Sequence, residues 1–171
     1  GEVAIEGYWY FFDTVTGAMQ TGFQNIGNKE VYYGSDGKMC YGEQKINGKT
    51  YYFNMVTGAM QTGLITIEEG EIVYIEPSGE KFLGEKSFNN KWCYFDKNNQ
   101  GYMSQSTFVT LEDGRKVYYG SDGAMRYGEQ AVNGKWYYFD TITGAMQIGF
   151  CSLGNKVVYY DSDGKMCYGK K

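Results

Sequence analysis

The chain has 171 residues, a net charge of −4, a single proline and no histidine, yet it carries 18 Tyr, 10 Phe, 3 Trp and 25 Gly. Its 16 basic residues are scattered rather than gathered on one face, which argues against a nucleic-acid binder. No apolar run approaches the roughly 18 residues that cross a bilayer. Aromatics favour strands and glycines favour turns, so this mixture predicts many short strands tightly joined, and it is too aromatic for disorder.

The opening segment GEVAIEGYWY already shows the pattern that fills the rest, as expected for a piece of a longer protein. Aromatic runs then recur around Phe11, Tyr32, Tyr52, Tyr74, Tyr94, Tyr118, Tyr138 and Tyr159, in steps of 20–24 residues. Residues 1–171 are therefore read as a single module of eight tandem repeats. In chain order, the first repeat has WYFF, TG at Gly17 and a closing Gly22. The second has VYYG, SDG at Gly37 and Gly42, and the third TYYF, TG at Gly58 and Gly63. The fourth carries IVYI and closes at Gly84, whereas the fifth, WCYF, runs on as GYMSQST without a closing glycine. The last three are VYYG with Gly123 and Gly128, WYYF with Gly144 and Gly149, and VVYY with Gly164 and Gly169.

This grammar predicts an aromatic strand, a glycine turn at TG or SDG, and a short second strand in each unit. One hairpin cannot bury enough surface to stand alone, but eight can if each stacks on the next. The expected class is thus all-β, a solenoid of tandem β-hairpins with almost no helix. Side chains alternate along a strand, so Tyr137 and Phe139 face one way and Trp136, Tyr138 and Asp140 the other. Tyr10, Tyr51, Tyr137, Phe12, Phe53 and Phe139 are assigned to the stacking core. The face holding Trp9, Trp92 and Trp136 is the candidate ligand face, because exposed aromatics mark interfaces. Met19, Met60, Met103 and Met146 are read as packing. The repeats also alternate with a superperiod of about 42 residues: odd units carry the tryptophans and even units close with YGE, LGE or YGK.

Catalytic chemistry finds no footing. There is no histidine, and the glutamates of YGEQ, Glu43 and Glu129, recur as scaffold where a catalytic pair would be unique. The SDG aspartates Asp36, Asp122 and Asp163 lack the spaced oxygen ligands of a calcium loop, and Asp-Gly turns account for them. Cys40, Cys93, Cys151 and Cys167 are substitutions into repeat slots rather than a disulfide framework. No metal and no cofactor is expected.

Motifs such as NGKWYYFDTITGAMQIGF and YGEQKINGKTYYFNMVTGAMQTGL resemble the cell-wall-binding repeats of Gram-positive surface proteins, a superfamily of choline-binding and glucan-binding repeats. The resemblance covers the whole chain. It implies hairpins wound into a left-handed superhelix as in choline-binding modules, with ligand held between consecutive hairpins. There a quaternary ammonium is boxed by the Trp of one hairpin, the aromatic after its closing TG and a Tyr of the next, through cation–π attraction. Carried over, this implies three ligand-binding sets: Trp9, Phe23 and Tyr32; Trp92, Phe108 and Tyr118; Trp136, Phe150 and Tyr159. The third and fourth repeats offer only Thr50, Leu64 and Tyr74.

The position after the closing glycine, Trp in the family, is Phe23, Leu64 or Phe150 here, and Glu43, Glu85, Glu129 or Lys170 in even repeats. The function implied is a non-catalytic module, secreted and associated with the cell surface. It would anchor a partner domain by binding choline-decorated teichoic acid or wall polysaccharide. A glucan-binding or toxin-type receptor-binding array, or a structural spacer, are the alternatives.

Overall fold

The computed structural model describes residues 1–67 and 70–169; Lys170 lies outside them. Among these residues there are only strands, turns and loops, and no helix is long and apolar enough to cross a membrane.

Eight antiparallel hairpins follow one another. They pair Glu2–Ile5 with Tyr8–Phe12, Gly22–Ile26 with Lys29–Tyr33, Gly42–Ile46 with Lys49–Phe53, and Gly63–Thr66 with Ile72–Ile75. The second four pair Gly84–Phe88 with Lys91–Asp96, Thr107–Thr110 with Lys116–Tyr119, Gly128–Val132 with Lys135–Phe139, and Gly149–Leu153 with Lys156–Tyr160. The hairpin turn is therefore not TG or SDG. It lies one step earlier, at pairs such as Asn47–Gly48 and Asn133–Gly134, where both residues have positive φ. That is the type I′ signature, whose twist matches the strands it joins.

The TG and SDG segments instead carry the chain from one hairpin to the next, folding back for a two-residue strand, Met19–Gln20 against Phe11 and Phe12, or for single bridges such as Phe53↔Met60 and Phe139↔Met146. Their aspartates serve the loops. Asp140 Oδ1 accepts from the backbone of Ile142 and Thr143 and from the Thr143 hydroxyl, at 2.7–3.0 Å. The SDG residue Asp122 accepts from Ala124 N and pairs with Arg126.

The chain forms two compact units, one of Gly1–Leu83 with Lys97–Tyr102, the other of Gly84–Asp96 with the described residues from Met103 onward. Within each unit the hairpins are tied by one recurring hydrogen bond. In the first, Met39 N–H donates to the Trp9 carbonyl, Met60 to Glu30 and Lys81 to Thr50, at 2.7–2.9 Å. In the second, Met125 donates to Trp92, Met146 to Lys116 and Met166 to Trp136, at 2.7–2.8 Å.

The core confirms the predicted faces in the best-formed units. Tyr137 and Phe139 are buried with Val132, with Phe108, Tyr118 and Met146 packed against them. Phe53 is fully buried, while Tyr10, Tyr51 and Phe12 are half-buried. In the even repeats the same inward register is Val31 and Tyr33, or Val117 and Tyr119, all at 0 % exposure.

Candidate functional site

The three tryptophans stand outward, 43–44 % exposed, on the face opposite the core. Each sits across its hairpin from a small residue: Ala4 faces Trp9, Ser87 faces Trp92 and Ala131 faces Trp136. A small partner leaves the indole room to lie over the sheet.

Trp9 lines a groove of about 210 Å³ with Glu2, Lys29, Met39, Tyr41, Val56 and Thr57. In the second unit Trp92 lines a groove of about 170 Å³ with Glu85, Arg115, Met125, Tyr127, Ile142 and Thr143. The two sets correspond residue for residue in the repeat. Each has a Trp from one hairpin, a Met and Tyr from the next repeat, and an aliphatic residue at the tip of the loop after that. Val56 and Ile142 are both 86 % exposed. Backbone donation to Asn54 and Asp140 holds them there, so each forms a fixed apolar lip.

Charge repeats as faithfully. Glu2 pairs with Lys29 at 3.3 Å and accepts from the Tyr33 hydroxyl at 3.1 Å. Glu85 pairs with Arg115 at 3.2 Å and accepts from the Tyr119 hydroxyl at 3.3 Å. Burial, with the adjacent glutamate adding to it, pushes both phenols well above the ordinary tyrosine range. Arg115 also holds Asp113 at 2.6 Å, so its guanidinium is shared between two carboxylates, of which Glu85 lines the groove. At Trp136 the corresponding acid is Glu129, paired with Lys156 at 2.8 Å, and the corresponding tyrosine is Tyr168, largely exposed.

The predicted sets are divided differently in space. Phe23 and Tyr32 do meet, with ring centroids 4.9 Å apart, but their further neighbours are Tyr51 and Phe53 of the third hairpin. Phe108 and Tyr118 meet at 4.8 Å and pack on Tyr137 and Phe139. Phe150 and Tyr159 meet at 4.8 Å, with Phe150 80 % exposed. None of these pairs lines the Trp9 or Trp92 groove. The residues that do, Tyr41, Tyr127, Glu2 and Glu85, were not among the expected contacts. A signal for them exists: even repeats read MCYG or MRYG where odd ones read MQTG or MQIG. The tyrosine thus alternates with the tryptophan.

At the place of the lost tryptophan, Thr50 stands opposite Lys45 rather than a small residue. The methionine position is Lys81 and the tyrosine position is Leu83. The basic partner of Glu43 is gone too, since Glu71 occupies the place of Lys29 and Arg115. Lys81 supplies the missing charge, its ammonium paired with Glu43 and donating to the Gln100 carbonyl at 3.1 Å. A built-in cation occupies this groove.

Comparison with known proteins agrees with this architecture. A family profile described as choline-binding repeat matches residues 20–63 and 107–150, together just over half of the chain. Among solved structures, CbpJ from Streptococcus pneumoniae TIGR4 superposes with a TM-score of 0.83 at 24 % identity, over 94 % of this chain and 56 % of that one. Choline binding protein F from Streptococcus pneumoniae gives a TM-score of 0.77 at 26 % identity, over 93 % and 55 %. The choline-binding domain of CbpL from the same organism gives 0.66 at 25 % identity, over 98 % and 86 %. The chain thus spans little more than half of the first two relatives. Among curated proteins no sequence matches.

Proposed function

Because the chain belongs to the choline-binding repeat family, we propose that the Trp9 and Trp92 grooves, and the outward face at Trp136, each receive a quaternary ammonium group carried by a cell-wall polymer. The observation that supports this is the recurrence of Trp, Met, Tyr, an aliphatic lip and a carboxylate in two separate grooves. A trimethylated nitrogen has no N–H to donate, so it is held by aromatic faces, apolar contact and charge. Trp is the strongest aromatic partner, at about 0.5–2 kcal/mol according to desolvation. Glu2 and Glu85 stand beside it, each paired with a base of the same groove, Lys29 or Arg115.

Two or three such sites are weak singly and strong together on a repetitive polymer, with avidity gains of roughly 10² or more. The module is non-catalytic in this reading and retains a partner domain at the surface of the cell, outside the membrane. A sugar-binding reading is favoured by the exposed Phe150 and Tyr159 rings, which suit a pyranose face.

Titration of Trp fluorescence separates these readings. Choline should shift the emission, and the Trp9→Ala, Trp92→Ala, Trp136→Ala triple variant should lose specific retention on a choline matrix. A response to soluble glucan but not to choline would select the sugar reading, and no response to either would leave a spacer.

A further inference from the structure

The groove that lost its tryptophan has a chemistry of its own. It measures about 430 Å³ and is lined by four lysines, Lys45, Lys49, Lys81 and Lys97, against two acids, Glu43 and Glu80. Both acids are already engaged: Glu80 pairs with Lys49 at 2.7 Å, and Glu43 with the nearly buried Lys81. Lys45 is exposed and makes no ion pair among the described residues. Lys45 therefore adds to the lining a positive charge that neither of its two acids answers, on a chain whose net charge is −4.

Gln100 and Glu43 also form one wall of a second groove of about 400 Å³, lined by Tyr52, Tyr102, Met55 and Ile67. The two grooves share that wall, so a basic trough and a tyrosine-lined trough adjoin. Tyr102 connects them: its hydroxyl donates to Gln100 Oε1 at 3.3 Å, and its ring centroid lies 6.0 Å from the Lys81 ammonium.

We propose that this double groove binds the backbone of a phosphodiester-linked polyol or glycan, phosphate on the lysine side and the polyol or sugar against Tyr52 and Tyr102. Lysine ammoniums are point charges suited to phosphate oxygens. Tyrosine rings give the C–H faces of a polyol or sugar an apolar surface. The site is separate from the tryptophan grooves and needs no amine on its ligand. Nucleic acid is a polyanion as well, so the net charge of −4 acts on both ligands alike, and the DNA arm of the test separates them.

The test uses the whole chain and poly(glycerol phosphate) bearing no choline. Binding measured by calorimetry at low salt should weaken about tenfold or more in Lys45→Gln, Lys49→Gln, and fall steeply as salt rises. The variant's circular dichroism should match the parent. Trp9→Ala, Trp92→Ala should bind the amine-free polymer unchanged, so loss of choline binding and loss of this site are read independently. Unaltered binding by the lysine variant would overturn the proposal. So would equal binding of single-stranded DNA of matched charge, which would mean an unselective polyanion face, or no binding of the polymer by the parent chain.

Discussion

Met125 lies across Gly144 of the following repeat, so that a Cβ on that glycine would fall inside the van der Waals surface of the methionine sulfur. The same contact joins Met39 to Gly58 and Met146 to Gly164. The glycine also has φ of +69°, where an L side chain is strained. Both constraints act on one atom, and both belong to the coupling between neighbouring repeats.

Gly144→Ala should therefore destabilise the second unit by about 2–4 kcal/mol, from left-handed backbone strain plus overpacking. Adding Met125→Ala should give less than the sum of the single effects, because the shorter side chain removes the clash but not the strain. Urea denaturation of the four proteins measures this. Strict additivity would show that the methionine contact plays no part.

Trp136 and Tyr137 are chain neighbours on opposite faces, 43 % and 7 % exposed. Trp136→Ala should weaken choline binding by about 1–2 kcal/mol per site and leave the hairpin folded. Tyr137→Ala should cost about 3 kcal/mol of stability instead, as a buried aromatic truncation. Thermal melts paired with choline titrations distinguish the two, and an exchange of the outcomes would mean that the faces are reversed.

The fully buried tyrosines make the fold sensitive to alkali. Tyr33 and Tyr119 have phenols raised by burial, and burial pushes Tyr160 up to about 12. An unfolded phenol ionises near about 10, so above that pH the native state holds protons that the unfolded chain has released. This contribution to stability is complete below about pH 10 and is lost as pH rises through the folded pKa values. Urea midpoints at pH 9, 10.5 and 11.5 should decline in that order. A flat profile would contradict the burial of these hydroxyls.

The silent groove should be open to repair. Lys45→Ala restores the small cross-strand partner, Thr50→Trp the platform, Lys81→Met the packing residue and Leu83→Tyr the second ring. With Lys81 gone, the Glu43 carboxylate is released to face a ligand cation. Calorimetry with choline should show one more site per chain than the parent. An unchanged stoichiometry would mean that the Trp–Tyr–Met set is not sufficient.

Period, class and strand faces were legible in the residues alone, because they depend on local pattern. Tyr137 and Phe139 alternate with Trp136 within one strand, and a strand has only two faces. Which glycine closes a hairpin was not legible. Asn133–Gly134 and Thr143–Gly144 both permit positive φ, and each flanks the same aromatic strand. Tertiary structure decides between them: Met146 N–H is drawn to the Lys116 carbonyl of the preceding hairpin, so its segment bridges outward after one contact with Phe139.

The lining of the Trp9 groove was hidden for the same reason. Sequence order places Phe23 and Tyr32 next after Trp9, but stacking brings Tyr41 and Val56 to its groove from the next two repeats. Charge partners such as Glu2 and Lys29 meet across hairpins, with nothing local to announce them. Local sequence specifies what each repeat presents on each face; only the stacking of one repeat on another decides which faces meet.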